Sequence, residues 1–259
     1  MSNIFAELQM LSSNKMNSVV DTRKDLNRLL EYFLSRKDRI AMTSKFAVEV
    51  RNLKAQTLLD CDSFMIETDD DYIDLDNELM EDRYGIFRGN WCIYGGRYIF
   101  PVKDVKGDVM GWCGYDKFSD TKYLDSDNYG YKAKYATVYG MEKLGEYYKS
   151  GRQVFFTEGI ICTLYARQEG EQALATLGSS LTPYVAEIIR RFGDRARIIT
   201  DSDEAGNKFK KQARYLCPKA RVIQSKIAKD LDDSKEVNPN VGKELCKFEN
   251  RFYRSPYFT

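Results

Sequence analysis

V-F-F-T-E-G-I at residues 154–160 and R-I-I-T-D-S-D-E-A-G at residues 197–206 decide the fold of this chain. Each opens with a short apolar run and then sets acidic side chains in front of a helix-like stretch. Short apolar runs bounded by turn signals read as buried strands. The residues between the two repeat the pattern. A-L-A-T-L at 173–177 is followed by a Gly-Ser-Ser loop, and a helix opens at Thr182-Pro183. Thr182 can cap that helix and Pro183 suits its first turn. Val185, Ile188, Ile189 and Phe192 then form an i, i+3, i+4, i+7 stripe that should face a sheet. A further helix is expected from about Glu204 to Leu216, and a further strand from Ala220 to Gln224. Four apolar runs separated by three helices imply an α/β fold, a parallel sheet with right-handed crossovers covered on both faces.

In such a sheet, functional groups gather beyond the carboxyl ends of the strands. Acids stand at three of those ends: Glu158 after the first run, Asp201 and Asp203 after Ile198-Ile199-Thr200, and Asp230 and Asp232 shortly after Val222-Ile223-Gln224. Neighbouring parallel strands would bring them together. Carboxylates sharing one pocket repel and raise one another's pKa unless a divalent cation compensates. Mg²⁺ prefers oxygen ligands and keeps waters for substrate phosphates. Taken singly, Glu158 also reads as an acid at a helix N-terminus, and D-S-D-E-A-G as a capped turn. Their ordered recurrence at successive strand ends favours a metal site.

Composition removes other chemistries. The chain has 259 residues and no histidine, and its six cysteines are scattered with no C-x-x-C pair. This excludes the usual structural zinc sites and every mechanism that needs a histidine base or ligand. No apolar run approaches the length of a bilayer crossing, and M-S-N-I-F-A-E-L-Q-M does not resemble a secretion signal, so a cytoplasmic protein with no membrane partner is expected. The net charge is only +1, but it is segregated. Residues 67–82 carry nine acids and no base, whereas residues 205–229 carry eight Lys or Arg and no acid. That distribution implies a field with direction.

Upstream of the α/β region, residues 1 to about 60 read as helical, with Leu26, Leu29, Leu30 and Phe33 at helical spacing. The acidic segment follows. The texture then changes to aromatic and β-branched residues interleaved with Gly and a Lys106-Gly107 turn, expected as a small antiparallel β region. The expected organisation is a helical region with the acidic segment at 1–82, a β-rich subdomain at 83–150, the parallel-sheet domain at 151–233 and a short tail at 234–259.

T-E-G-I at 157–160 followed by D-S-D-E-A-G at 201–206 resembles the Toprim domain of DnaG-type primases, type IA and type II topoisomerases and some nucleases. A-T-L-G-S-S-L-T at 175–182 resembles the primase form of the loop between those motifs, and K-D-L-D at 229–232 the primase K-D-P-D. R-Y-I-F-P-V-K-D-V-K-G-D-V-M-G at 97–111, T-K-Y-L-D-S at 121–126 and K-Y-A-T-V-Y-G at 134–140 are similar, in the same order, to the segment that precedes Toprim in primases. The resemblance covers roughly residues 83–233 and narrows the reading to a DnaG-type primase catalytic core, in a compact phage-like form without zinc-binding or helicase-binding domains.

The resemblance implies Glu158, Asp201 and Asp203 as catalytic and metal-binding acids, with Asp230 and Asp232 completing the pocket around Mg²⁺ or Mn²⁺, two ions rather than one, and no zinc. Glu158 serves as ligand or general base. Arg97, Lys122, Tyr123 and Lys134 match template contacts, and Lys122-Tyr123 pairs a cation for phosphate with a ring for an unpaired base. Lys208 and Lys229 are expected beside the triphosphate. The implied partners are single-stranded DNA, nucleoside triphosphates and a replicative helicase or other replisome protein. The implied activity is short RNA primer synthesis; a Toprim nuclease or a silent DNA-binding replisome module are the alternatives. Three departures stand out. Cys162 occupies a position where the family often has an acid, Ser202 replaces the usual glycine, and Asp125 stands where asparagine is common.

Overall fold

The computed structural model describes residues 20–36, 38–49, 53–67, 86–88, 91–128, 131–132 and 137–224. They fall into two compact units divided after residue 136.

In the first unit, helices α1 (Val20–Ser35), α2 (Arg39–Glu49) and α3 (Ala55–Leu59) precede β1 (Phe64–Ile66), β2 (Phe87–Arg88), β3 (Trp91–Cys92), β4 (Arg97–Lys103), β5 (Val109–Tyr115) and β6 (Tyr123–Asp125). A small hairpin, β7 (Asp127–Asn128) with β8 (Tyr131–Lys132), follows. The main sheet is antiparallel in the order β1-β4-β5-β6. The β region is thus antiparallel as expected, but it recruits β1 as an edge strand. Those three residues are too few to show a period and were not anticipated from sequence.

The helical stripe of α1 is buried against this sheet. Leu26, Leu29, Leu30 and Phe33 share one core with Phe64, Ile99 and Trp112. The Phe33 and Phe64 rings stack at 4.8 Å, and Trp112 meets them edge-on at 5.7 and 5.2 Å. Cross-strand partners lie on one face of a sheet, so Ile99–Gly114 and Pro101–Trp112 face α1, while Tyr98–Tyr115 and Phe100–Cys113 face the other way. There Phe46 of α2 stacks on Tyr98 at 3.8 Å. The Tyr98 hydroxyl donates to Thr43 Oγ1 (2.9 Å) and accepts from Ser63 Oγ (3.1 Å). Burial pushes that phenol up to about 12. Cover on both faces explains why V-M-G-W-C-G-Y of β5 is buried throughout instead of alternating.

The predicted Lys106-Gly107 turn closes β4 onto β5. Gly107 takes φ +93°, and the Asp104 carboxylate accepts from the N–H groups of Lys106 and Asp108. Arg23 of α1 pairs with Asp104 at 3.0 Å, fastening the helix to the turn.

The second unit begins with a bridge at Tyr139, which pairs in both directions with Ala175. Helix α4 (Leu144–Ser150) and the strands β9 (Val154–Thr157), β10 (Ala173–Ala175), β11 (Ala196–Thr200) and β12 (Arg221–Gln224) follow, with α5 (Ile160–Gln168), α6 (Pro183–Phe192) and α7 (Glu204–Leu216) between the strands. All pairings are parallel and the order is β10-β9-β11-β12. This is the α/β fold expected from sequence. Right-handed crossovers in that order require α5 on one face and α6 with α7 on the other. The α6–α7 contact agrees: Gln212 of α7 exchanges hydrogen bonds with the Leu181 backbone at 2.9 and 3.0 Å. Thr182 caps α6 by accepting from Val185 N–H, and Val185, Ile188, Ile189 and Phe192 are all buried. Helix α4, with only Leu144 and Tyr147 buried, carried too weak a pattern to be read from sequence.

Gly114 has room only for hydrogen. A Cβ there would lie 2.5 Å from Tyr94 Cδ1, on a fully buried ring. Gly114→Ala is expected to lower unfolding free energy by about 1–3 kcal/mol through overpacking, read as an earlier midpoint in urea unfolding.

Candidate active site

The two central strands of the second unit define where a site can form. From β9 the chain crosses to β10 on one side, whereas from β11 it crosses to β12 on the other. Beyond the carboxyl ends of strands whose connections diverge in this way lies the crevice of an open α/β sheet. Glu158 follows β9 directly, and Asp201 follows β11 directly. The structure joins them: Glu158 Oε1 accepts from the Asp201 N–H at 3.0 Å.

Asp201 is held by its backbone on every side. Its carbonyl accepts from Gln224 Nε2 at 2.6 Å, from the end of β12. Gln224 also donates to Asn207 Oδ1 (3.2 Å) and accepts from Lys210 Nζ (2.8 Å), tying α7 into the same cluster. Burial pushes the Lys210 ammonium down, and the neighbouring Arg214 charge adds to that. Asp203 is the N-cap of α7, its Oδ1 accepting from Gly206 N–H at 2.9 Å. The two aspartates therefore differ: Asp203 caps with its side chain, whereas these bonds of Asp201 run through its peptide.

A second set of bonds orders the rim beside Glu158. The hydroxyls of Thr157 and Thr163 lie 2.6 Å apart, and Thr176 Oγ1 donates to the carbonyls of Thr157 (3.2 Å) and Gly178 (3.0 Å). Gly178 N–H reaches the Glu158 carbonyl at 3.2 Å. Leu177, between them, takes φ +60°, a left-handed conformation costly for a residue with a side chain. The Thr ties, the left-handed Leu177 and the bonds of Gln224 are not legible in the sequence of this loop. The one available signal was a Leu-Gly pair at a strand end.

Of the remaining predicted residues, Lys208 lies on the exposed side of α7, opposite the buried Gly206, Phe209 and Ala213. Asp230, Asp232 and Lys229 lie outside the described residues, as does Lys134. Cys162 is half-buried on α5. Arg97, Lys122 and Tyr123 belong to the first unit. Lys122 and Tyr123 are exposed, but the Arg97 guanidinium is turned onto its own fold: it donates to the carbonyls of Thr121 (2.9 Å) and Lys122 (3.4 Å) and to Ser119 Oγ (3.0 Å).

Among the described residues, no three His, Cys, Asp or Glu side chains converge as a ready metal cage. The donor set nevertheless suits a hard divalent cation in kind, because Glu158, Asp201 and Asp203 offer only carboxylate oxygen. Glu158 and Asp203 each have one oxygen oriented by a backbone N–H.

Residues 155–239 match the Toprim-like family model. Over a longer stretch the chain is similar to DNA primases. It is 30% identical over 137 residues to that of Borreliella burgdorferi, 29% over 154 to that of Aquifex aeolicus and 32% over 169 to that of Clostridium acetobutylicum. These alignments cover 52%, 58% and 61% of this chain and 26%, 30% and 28% of those proteins, so the chain spans under a third of their length. Only 105 residues run from 155 to 259, so alignments of this length must extend upstream of the Toprim match. The fold is that of the DnaG primase catalytic core. The E. coli primase catalytic core superposes with a TM-score of 0.70 at 18% identity, covering 88% of this chain and 80% of that one. A DnaG primase catalytic domain bound to single-stranded DNA superposes with 0.67 at 18%, covering 94% and 80%. No helix among the described residues is long and apolar enough to cross a membrane.

Gly206 is the keystone of the acidic loop. A Cβ at that position would lie 2.1 Å from the Asp201 carbonyl oxygen and 2.6 Å from its carbon. Gly206→Ala is expected to displace the Asp201 peptide and cost about 1–3 kcal/mol. Thermal unfolding reads the loss, and the backbone amide resonance of Asp201 should move with it.

Proposed function

We propose that this chain is the catalytic core of a DNA primase, which joins nucleoside triphosphates into short RNA primers on single-stranded DNA by metal-dependent nucleotidyl transfer. The observation that carries the reading is the Glu158–Asp201 contact at the switch point of a Toprim-like sheet. The similarity to DNA primases, which runs upstream of that sheet, favours primer synthesis over the nuclease and silent-module alternatives.

Divalent ions, Mg²⁺ or Mn²⁺ and two in number, would supply charge neutralisation on the triphosphate and acidify the attacking 3′ hydroxyl. Glu158, Asp201 and Asp203 would hold them, with Asp230 and Asp232 completing the set. Glu158, oriented by the Asp201 N–H, would serve either as a metal ligand or as the general base toward the 3′ hydroxyl. Lys208 and Lys229 would meet the triphosphate as compact point charges. Arg97, Lys122, Tyr123 and Lys134 would hold the template through phosphate contacts and stacking, and Arg97 also braces the loop that carries Lys122. With no histidine and no C-x-x-C pair, these cations and rings would do without zinc. The cytoplasm of a bacterial cell or phage-infected host, and a replicative helicase or other replisome protein as partner, complete the reading.

The reaction is tested with single-stranded DNA, labelled nucleoside triphosphates and Mg²⁺ or Mn²⁺. Short RNA is the expected product; shortened DNA would instead make the chain a nuclease. Asp201→Ala is expected to abolish synthesis with an unchanged circular dichroism spectrum, because the bonds that fasten Asp201 to Glu158 and Gln224 use its backbone. Glu158→Gln keeps an oxygen to accept from Asp201 but loses the charge, and should lower the rate about 100-fold or more. Full synthesis by Asp201→Ala would refute the metal-site assignment.

A further inference from the structure

The β5–β6 loop, Asp116–Lys122, carries the most exposed large apolar side chain among the described residues. Phe118 is 86% exposed, on a protein whose other phenylalanines described here are buried. A single exposed ring means little by itself. Its setting is what distinguishes this one.

The loop is braced at every turn. Asp116 N–H donates to the Lys122 carbonyl (2.9 Å) and closes its base. Asp116 Oδ1 accepts from Phe118 N–H (2.8 Å), and Ser119 Oγ accepts from Thr121 N–H (3.3 Å). The Arg97 guanidinium fork reaches three acceptors in the loop, Thr121 O, Lys122 O and Ser119 Oγ. Beneath it, Tyr123 leans on buried Tyr115 with ring centroids 5.0 Å apart, and Tyr115 meets Phe46 at 6.2 Å. A loop this tied has little entropy left to lose, yet it holds a hydrophobic ring in water. One cation lies beside that ring, Lys117, with Nζ 5.9 Å from the Phe118 centroid, and a second, exposed Lys122, stands at the end of the same loop. Asp120 is the one acid at the tip whose carboxylate none of these bonds employs.

We propose that Phe118 is a stacking platform for an unpaired nucleic-acid base, with Lys117 and Lys122 holding the flanking phosphates. Aromatic rings set among cations bind single strands in this way because every base has a stackable face, whereas the phosphates need only charge. A preorganised ring loses less on binding than a mobile one. The proposal rests on the template-binding reading of Lys122 and Tyr123, and extends it to a residue chosen for exposure and loop geometry.

The experiment compares a short oligothymidylate with an abasic strand of equal length, using fluorescence anisotropy on the full chain. The unaltered protein is expected to prefer the base-bearing strand. Phe118→Ala should weaken binding to that strand about tenfold, with binding to the abasic strand and the salt dependence unchanged, and Phe118→Trp should restore it. Lys117→Ala with Lys122→Ala should weaken both strands and flatten the salt dependence. A 2-aminopurine base in the strand gives a direct stacking signal that Phe118→Ala removes. If Phe118→Ala binds both strands as the unaltered protein does, or changes only the oligomeric state, the platform is refuted while template binding stands. If the unaltered protein binds neither strand, the template reading falls and the platform with it.

Discussion

The Asp201 peptide and the first turn of α7 occupy space that only a glycine at 206 leaves open. That single residue gives its N–H to Glu158 at the end of β9 and its carbonyl to Gln224 at the end of β12. Three strand ends and a helix N-terminus are thereby registered on one backbone unit. An N–H to a carboxylate is a charge-assisted bond, stronger than a neutral one, so Glu158 is positioned by the same contact that fastens Asp201. Sites must hold their groups to a fraction of an ångström. Here the tolerance comes from main-chain atoms, which have no rotamers to sample.

On the other flank of Glu158 the ordering is done by neutral groups. Thr157, Thr163 and Thr176 link the end of β9, helix α5 and the loop after β10 through hydroxyls and carbonyls. A lysine or arginine in their place would neutralise carboxylate charge that the chemistry requires, and another acid would add repulsion. The left-handed Leu177 is held by this network and sits where strained backbone is most often found, next to the functional groups.

Sequence carried the α/β unit well because its signals are local and mutually consistent. Thr182 with Pro183, the Val185–Phe192 stripe and D-S-D-E-A-G each mark a boundary within a few residues, and α6 and α7 begin and end where those marks fall. The acids were legible for the same reason, since a carboxylate directly after an apolar run is a strand-end acid in any parallel sheet. What was not legible is long-range. The edge strand Phe64–Ile66 acquires its identity from Arg97–Ile99, more than thirty positions away. The Arg97 guanidinium likewise reaches a loop 22 to 25 residues distant. No local pattern announces either pairing, because both depend on how the sheet closes.

The absence of histidine constrains how such a site can respond to pH. No side chain of this chain has an unperturbed pKa between about 5 and 8. The thiol of Cys217 is pushed up to about 11 by burial. A carboxylate enters that interval only where like charges crowd it, and a bound divalent cation removes such repulsion. With the metal in place, a rate that rises through neutral pH would report ionisation of the attacking hydroxyl more than any side chain.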